Sequence, residues 1–218
     1  MKVYPAILTG DIQKVQDQID ISSGLDACEV VHIDLIDGLF ADNLTITPAD
    51  LETCEFGSLQ CDLHIMAIDP EDVVNEAVEF ASMVPIRAVI GQVEKMGSEQ
   101  SFVDAVRRQG WQAGLSLDVD TALDSIDEEI WKELQIVQVM GVVAGEQGQS
   151  FIERTLELVK EIAQLREEQH LQFELLVDGG IRPALISRLE KLGVNGCTMG
   201  SFLWKSSEPA VQWQELSR

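Results

Sequence analysis

Apolar, β-branched runs alternate with stretches of helical periodicity along the chain. The strand-like runs are KVYPAIL (2–8), EVVHIDL (29–35), CDLHIM (61–66), IRAVIG (86–91), QAGLSL (112–117), LQIVQVM (134–140), QFELLV (172–177) and NGCTMG (195–200). Apolar positions recur at helical spacing around residues 48–57, 70–82, 98–109, 121–130, 149–168, 182–192 and 207–216. The stretch after the first run, DIQKVQDQIDISSGLDACE, predicts a less regular helix or two, with Asp11 placed as an N-cap. Strands that alternate with helices pair in parallel, because parallel neighbours need a crossover connection. Eight such units, without a dinucleotide-binding glycine fingerprint, predict an α/β fold closed into a (β/α)8 TIM barrel rather than an open doubly wound sheet. One barrel domain is expected over residues 1–218, with no linker and no room for a second domain.

Composition narrows the partners. With 45% apolar and 24% charged residues, the chain can bury a globular core. No apolar run approaches the roughly 18 residues of a membrane span. The first residues, MKVYPAILTG, do not read as a signal peptide, so a cytoplasmic protein is expected. Fifteen basic against 38 acidic residues leave a formal charge of -23, a field that repels phosphodiester backbones and anionic lipid. Nucleic acid and membrane surfaces are therefore not expected as partners, and an anionic ligand would need local positive potential at its site. Four scattered cysteines without a C-x-x-C pair argue against a zinc knuckle or a redox motif, and Cys61 and Cys197 read as small core residues.

In such barrels the chemistry gathers at the C-terminal ends of the strands. His32 and Asp34 are two apart on the second strand and so share a face. His64 lies near the end of the third strand in DLHIM, and Asp178 follows the seventh in LLVDGG. Taken singly, a strand-end Asp-Gly is a turn former and a strand histidine a hydrogen-bonded core residue. Taken together, two imidazoles and two carboxylates in one barrel mouth are costly to bury unless they pair or bind a cation. That donor set suits one divalent metal such as Zn, Mn, Fe or Co. A second cluster comprises Gly179-Gly180, Gly200-Ser201, and Gly145 and Gly148 of the GEQG segment. Backbone amides in these loops match the place where such barrels bind phosphate.

These segments carry a resemblance. VHIDLIDGLFADNLT, DLHIM, MGVVAGEQGQSF, VDGGI and MGSFLWKS are similar to the corresponding motifs of the ribulose-phosphate 3-epimerase family, as is the opening YPAILTGD. The resemblance spans residues 3 to about 205 and implies a barrel of the ribulose-phosphate-binding type. It implies an isomerase that inverts carbon 3 of a ketose phosphate, D-ribulose 5-phosphate to D-xylulose 5-phosphate, within carbohydrate metabolism. His32, Asp34, His64 and Asp178 would hold the metal, Asp34 and Asp178 would act as acid and base, and Met66 and Met140 would flank the reacting centre. The expected partners are a small-molecule sugar phosphate and further copies of the same chain.

The periphery departs from the family pattern. Ala6 stands in place of a serine, Gln92 in place of a histidine, and Ile36 in place of a methionine. The phosphate loop carries Glu146-Gln147 between Gly145 and Gly148, after Ala144 instead of proline. These changes keep open a 3-epimerase of a hexulose phosphate such as allulose 6-phosphate, or a non-catalytic sugar-phosphate or metal-binding barrel. A decarboxylase of related fold would carry D-x-K-x-x-D, and no lysine lies near Asp34.

Overall fold

The computed structural model describes residues 1–216. Among them, eight parallel strands close on themselves in chain order: β1 (Lys2–Ile7), β2 (Val30–Ile36), β3 (Gln60–Met66), β4 (Ile86–Gln92), β5 (Gln112–Leu117), β6 (Ile136–Met140), β7 (Glu174–Asp178) and β8 (Gly196–Met199). β8 pairs back onto β1, with Val3 opposite Cys197 and Tyr4 opposite Thr198. Closure removes the sheet edges and buries both faces, which is why VVHIDLI is buried at every position. Its outward residues Val31, Ile33 and Leu35 join the main core between sheet and helices. The barrel interior holds a smaller apolar layer of Tyr4, Val30, Ala88, Ile90, Ile136 and Leu176.

The α-helices are α1 (Ile12–Ser23), α2 (Pro70–Phe80), α3 (Glu99–Arg108), α4 (Thr155–Glu168), α5 (Pro183–Lys191), α6 (Ser201–Trp204) and α7 (Pro209–Gln214). Asp11 caps α1 by accepting from the Gln13 amide, and that segment forms one regular helix.

Two expected helices shrink to 3-10 turns, and a third starts late. The 121–130 stretch forms only two 3-10 turns, Leu123–Ser125 and Ile130–Lys132. There Ser125 Oγ bonds back to the Ala122 carbonyl and Asp127 accepts from the Glu129 amide, so local side-chain bonds compete with helix propagation. The segment buries Ile130 and Trp131 all the same. The 48–57 stretch yields the 3-10 turn Asp50–Thr53, with Asp50 accepting from the Thr47 amide. The 149–168 helix starts only at Thr155, because the Ile152 amide and the Thr155 hydroxyl are tied to carbonyls at the end of β6. All four cysteines are free, and Cys61 and Cys197 are buried. Among the described residues no helix is long and apolar enough to cross a membrane.

Candidate metal centre and active site

β2, β3 and β7 deliver four titratable side chains to one point inside the mouth. Parallel register sets Asp34 beside His64, and the period-2 alternation of β2 puts His32 one layer deeper on the same face. The ligand atoms of His32, Asp34, His64 and Asp178 all lie within 4.8 Å of one another, and all four residues are buried. His64 Nδ1 lies 2.8 Å from Asp34 Oδ1 and 3.5 Å from Asp178 Oδ2. His32 Nε2 lies 3.6 Å from Asp34 Oδ1 and 3.9 Å from Asp178 Oδ2.

Burial and mutual charge set the protonation of these groups. Burial pushes the Asp34 carboxyl up to about 6, and the neighbouring Asp178 adds to that rise while His64 opposes it. Burial drives His32 down to about 3, so its imidazole is neutral. At His64 burial also acts downward, but the hydrogen bond and charge of Asp34, with the charge of Asp178, outweigh it and leave the imidazole raised.

Neither ring nitrogen of His32 has a hydrogen-bond partner, although the side chain is fully buried. A buried imidazole without partners costs stability unless something else takes its lone pair. Two carboxylates, a neutral imidazole with an unused nitrogen and a second imidazole form a hard-to-borderline donor set that fits a divalent cation.

Surrounding residues hold the donors in place. The Thr198 hydroxyl on β8 donates to Asp178 Oδ1, and Gln138 Nε2 on β6 lies 3.5 Å from its other oxygen. Thr45 Oγ1 donates to the Asp34 carbonyl and accepts from the Ile36 amide, pinning the end of β2. Sequence reasoning missed Thr198 and Gln138. Each sits two residues before a position that it did single out, Gly200 and Met140, so strand alternation points both inward.

A cavity opens above the centre. Asp34, Asp178, Met66, Met140, Gly145, Gly148, Gly179, Gly180, Gly200 and Ser201 all line it, as do Ala6 and Glu146. His32 and His64 lie beneath its surface. Gly180 has φ +69° and an added Cβ would come within 2.8 Å of the Phe151 backbone, so only glycine lets these loops approach. The rim is tied across strands by Asn43 Nδ2 donating to the Gly145 carbonyl and Gln147 Nε2 donating to the Leu8 carbonyl.

Residues 2–204 match the model of the "Ribulose-phosphate 3 epimerase family". The chain belongs to that family. It is 29% identical to the ribulose-phosphate 3-epimerase of Bacillus subtilis over 95% of this chain and 94% of that protein. It is 28% identical to the Escherichia coli K12 protein of the same name, over 94% and 90% respectively. The chloroplastic ribulose-5-phosphate-3-epimerase of Arabidopsis thaliana is 26% identical over 95% of this chain and 73% of its own length. Among solved structures, 3-hexulose-6-phosphate synthase superposes with a TM-score of 0.68 at 14% identity, covering 99% of this chain and 98% of that one. A tryptophan synthase α-subunit from Pyrococcus furiosus gives the same TM-score at 13% identity, covering 99% and 96%. These two likenesses concern the barrel alone.

Membership of the ribulose-phosphate 3-epimerase family makes the protein an isomerase-class enzyme and puts its departures in place. Ala6 and Ile36 both sit at the mouth, Ala6 beside His32 in register and Ile36 against Met66. Glu146 is exposed, and no ion pair joins it to Arg182 or Lys205. Lys205 instead leans over Gly148, its Nζ 2.9 Å from where a Cβ on that glycine would lie.

Proposed function

We propose that the protein is a metal-dependent 3-epimerase of a ketose phosphate, interconverting D-ribulose 5-phosphate and D-xylulose 5-phosphate. The observation that carries this reading is the buried cluster of four possible donors, with both His32 ring nitrogens lacking a hydrogen-bond partner, directly beneath a cavity whose rim is built from glycine-rich loops. His32, Asp34, His64 and Asp178 would hold a divalent ion of the Zn, Mn, Fe or Co group. Such an ion would supply positive charge that lowers the cost of forming an enediolate.

The protein's own groups do the rest. β2 and β7 are separated around the barrel by β1 and β8, so Asp34 and Asp178 reach the substrate from different sides. One carboxylate removes the carbon-3 proton from one face, and the other, protonated, returns a proton to the opposite face. Which one starts depends on the epimer bound. Burial raises the Asp34 carboxyl above the ordinary carboxylate value, the direction that suits a group which must both give and take a proton. Met66 and Met140 pack with Ile36, Val142 and Ala144 in an apolar collar that keeps water from the reacting carbon. Amides of the loops at Gly145, Gly148, Gly179, Gly180, Gly200 and Ser201 take the phosphate, with the Lys205 ammonium nearby.

Ala6 and Glu146 in the cavity wall favour one second reading, a hexulose phosphate as substrate. Separate incubations of metal-replete protein with D-ribulose 5-phosphate and with allulose 6-phosphate in deuterated water, each followed by NMR at carbon 3, distinguish the two. Deuterium incorporation with xylulose 5-phosphate formation is expected. Exchange only with allulose 6-phosphate would move the assignment to the hexulose, and exchange with neither would overturn the epimerase reading.

A further inference from the structure

The last residue of β4 is Gln92, a fully buried amide beside the metal centre. Its Oε1 lies 3.3 Å from His64 Nε2, and its Nε2 donates at 3.0 Å to Glu94 Oε2. The other Glu94 oxygen accepts from the Asp118 amide at 2.7 Å and from Thr121 Oγ1 at 2.6 Å, both in the loop after β5. A carboxylate accepts hydrogen bonds and offers none. It therefore fixes which way the Gln92 amide faces: the NH2 group toward Glu94, the carbonyl oxygen toward His64. The reversed amide would set an oxygen lone pair against the carboxylate and lose the bond.

An amide carbonyl facing His64 Nε2 admits only the N–H there. The hydrogen-free nitrogen of a neutral His64 is then Nδ1, the atom that faces Asp34 and Asp178. We propose that Gln92, oriented by Glu94, is a positioning residue that holds His64 as the Nε2–H tautomer and so commits its Nδ1 lone pair to the metal centre. This rests on the reading of His32, Asp34, His64 and Asp178 as a cation site. The ring nitrogen that does not bind the metal is set by its own hydrogen bond, the usual way in which a ligating histidine is held. The direction of the relay originates outside the barrel, in the loop that anchors Glu94.

The test uses Zn2+ as the probe. The chain has three histidines, so in a long-range 1H–15N spectrum of the Zn2+-loaded protein a His170→Gln control removes the His170 signals, and through-bond correlation of each remaining ring to its own backbone separates His64 from His32. An Nε2–H signal for His64, with Nδ1 at the shift of a metal-bound nitrogen, is expected. Zn2+ affinity is measured by chelator competition. Gln92→Met keeps the volume but removes the acceptor, and should weaken Zn2+ binding about 10–100-fold, the usual scale for losing such a partner. The exchanged pair Gln92→Glu/Glu94→Gln restores an acceptor facing His64 and a donor facing residue 92, and should bind Zn2+ within about 3-fold of the native protein, well inside that loss. A mere packing role for Gln92 predicts the reverse ranking. An Nδ1–H signal from the His64 ring, or a Gln92→Met protein with native Zn2+ affinity and an unchanged His64 spectrum, would overturn the proposal while leaving the metal site standing. Failure of the native protein to bind Zn2+ or any ion of its class would remove the metal reading and this one with it.

Discussion

Asp37-Gly38 and Asp178-Gly179 are the same dipeptide at the end of a strand, and their surroundings separate them. Asp37 is spent on backbone, accepting from the amides of Leu39, Phe40 and Ile68, which makes it an organiser of the rim turn. Asp178 is buried among two imidazoles and a second carboxylate. The dipeptide alone could not tell the two apart, because what differs is the third-dimensional neighbour. For Asp34 and Asp178 the two-carboxylate mechanism predicts that Asp34→Asn and Asp178→Asn each lower turnover at least ~100-fold, the scale of lost general acid/base catalysis. Steady-state kinetics on samples matched for metal content check this. A metal-replete asparagine variant with near-native turnover would rule out that carboxylate as acid or base.

Among the elements, β4 shows how a local irregularity adds chemistry. Register shifts by one between Cys61 and Asp62, which pair with Ile86 and Ala88, so Arg87 is the extra residue of a bulge. Its side chain turns in to form a two-pronged pair with the buried Asp62 and lies 5.3 Å from the Tyr4 ring centre. Burial raises the Asp62 pKa, and Arg87 opposes the rise. Removing the guanidinium leaves a buried charge without its partner, so Arg87→Met should destabilise the fold by about 3 kcal/mol at neutral pH. A carboxyl whose folded pKa exceeds the unfolded value contributes stability below the unfolded pKa and loses it as pH rises through the folded one. The deficit of the variant should therefore narrow as pH is lowered from 7 toward about 4, the ordinary carboxylate range. Urea unfolding of both proteins across that interval measures it. A deficit that widens toward acid would mean that Asp62 is not the group left stranded.

The rim loops carry a second prediction at this scale. Glu146 is exposed and unconnected to Arg182 or Lys205, so Glu146→Gly should change the Michaelis constant for a ketose phosphate by less than ~10-fold, the factor that corresponds to about 1.4 kcal/mol. Ser201→Asp places a carboxylate against the proposed phosphate position and should raise that constant sharply, since two unit charges at ~6 Å repel by roughly 3 kcal/mol at an effective dielectric of ~20. Equal use of phosphorylated and unphosphorylated ketoses by the Ser201→Asp protein would show that phosphate binds elsewhere.

For the whole molecule the charge of -23 is the dominant long-range feature. The proposed substrate, a dianionic sugar phosphate, would approach against that field, with the Lys205 ammonium near Gly148 as a local counterweight. Raising ionic strength from ~0.01 M to ~0.15 M shortens the Debye length from about 30 to about 8 Å. kcat/KM for the ketose phosphate should therefore rise over that range, while that for an unphosphorylated ketose stays flat. A fall with salt would mean that the mouth is locally positive enough to attract its ligand despite the net charge.

The sequence by itself determined the strands and their parallel pairing, and it placed His32, Asp34, His64 and Asp178 on strands two, three and seven, because each rests on a local rule. β-branched runs make strands, connection length forces parallel pairing, and alternation of two sends His32 with Asp34 to one side. It overstated helix at 121–130, where short polar side chains bond to their own backbone more cheaply than a helix can form. Only the tertiary structure decided which neighbours those inward residues meet. The Thr198 bond to Asp178 and the Arg87 bulge under the barrel floor depend on register between strands far apart in sequence. So does the Glu94–Gln92–His64 relay, in which a loop after β5 sets the direction of an amide on β4. Register across a closed barrel is a property of all eight strands at once, and no single segment of the chain contains it.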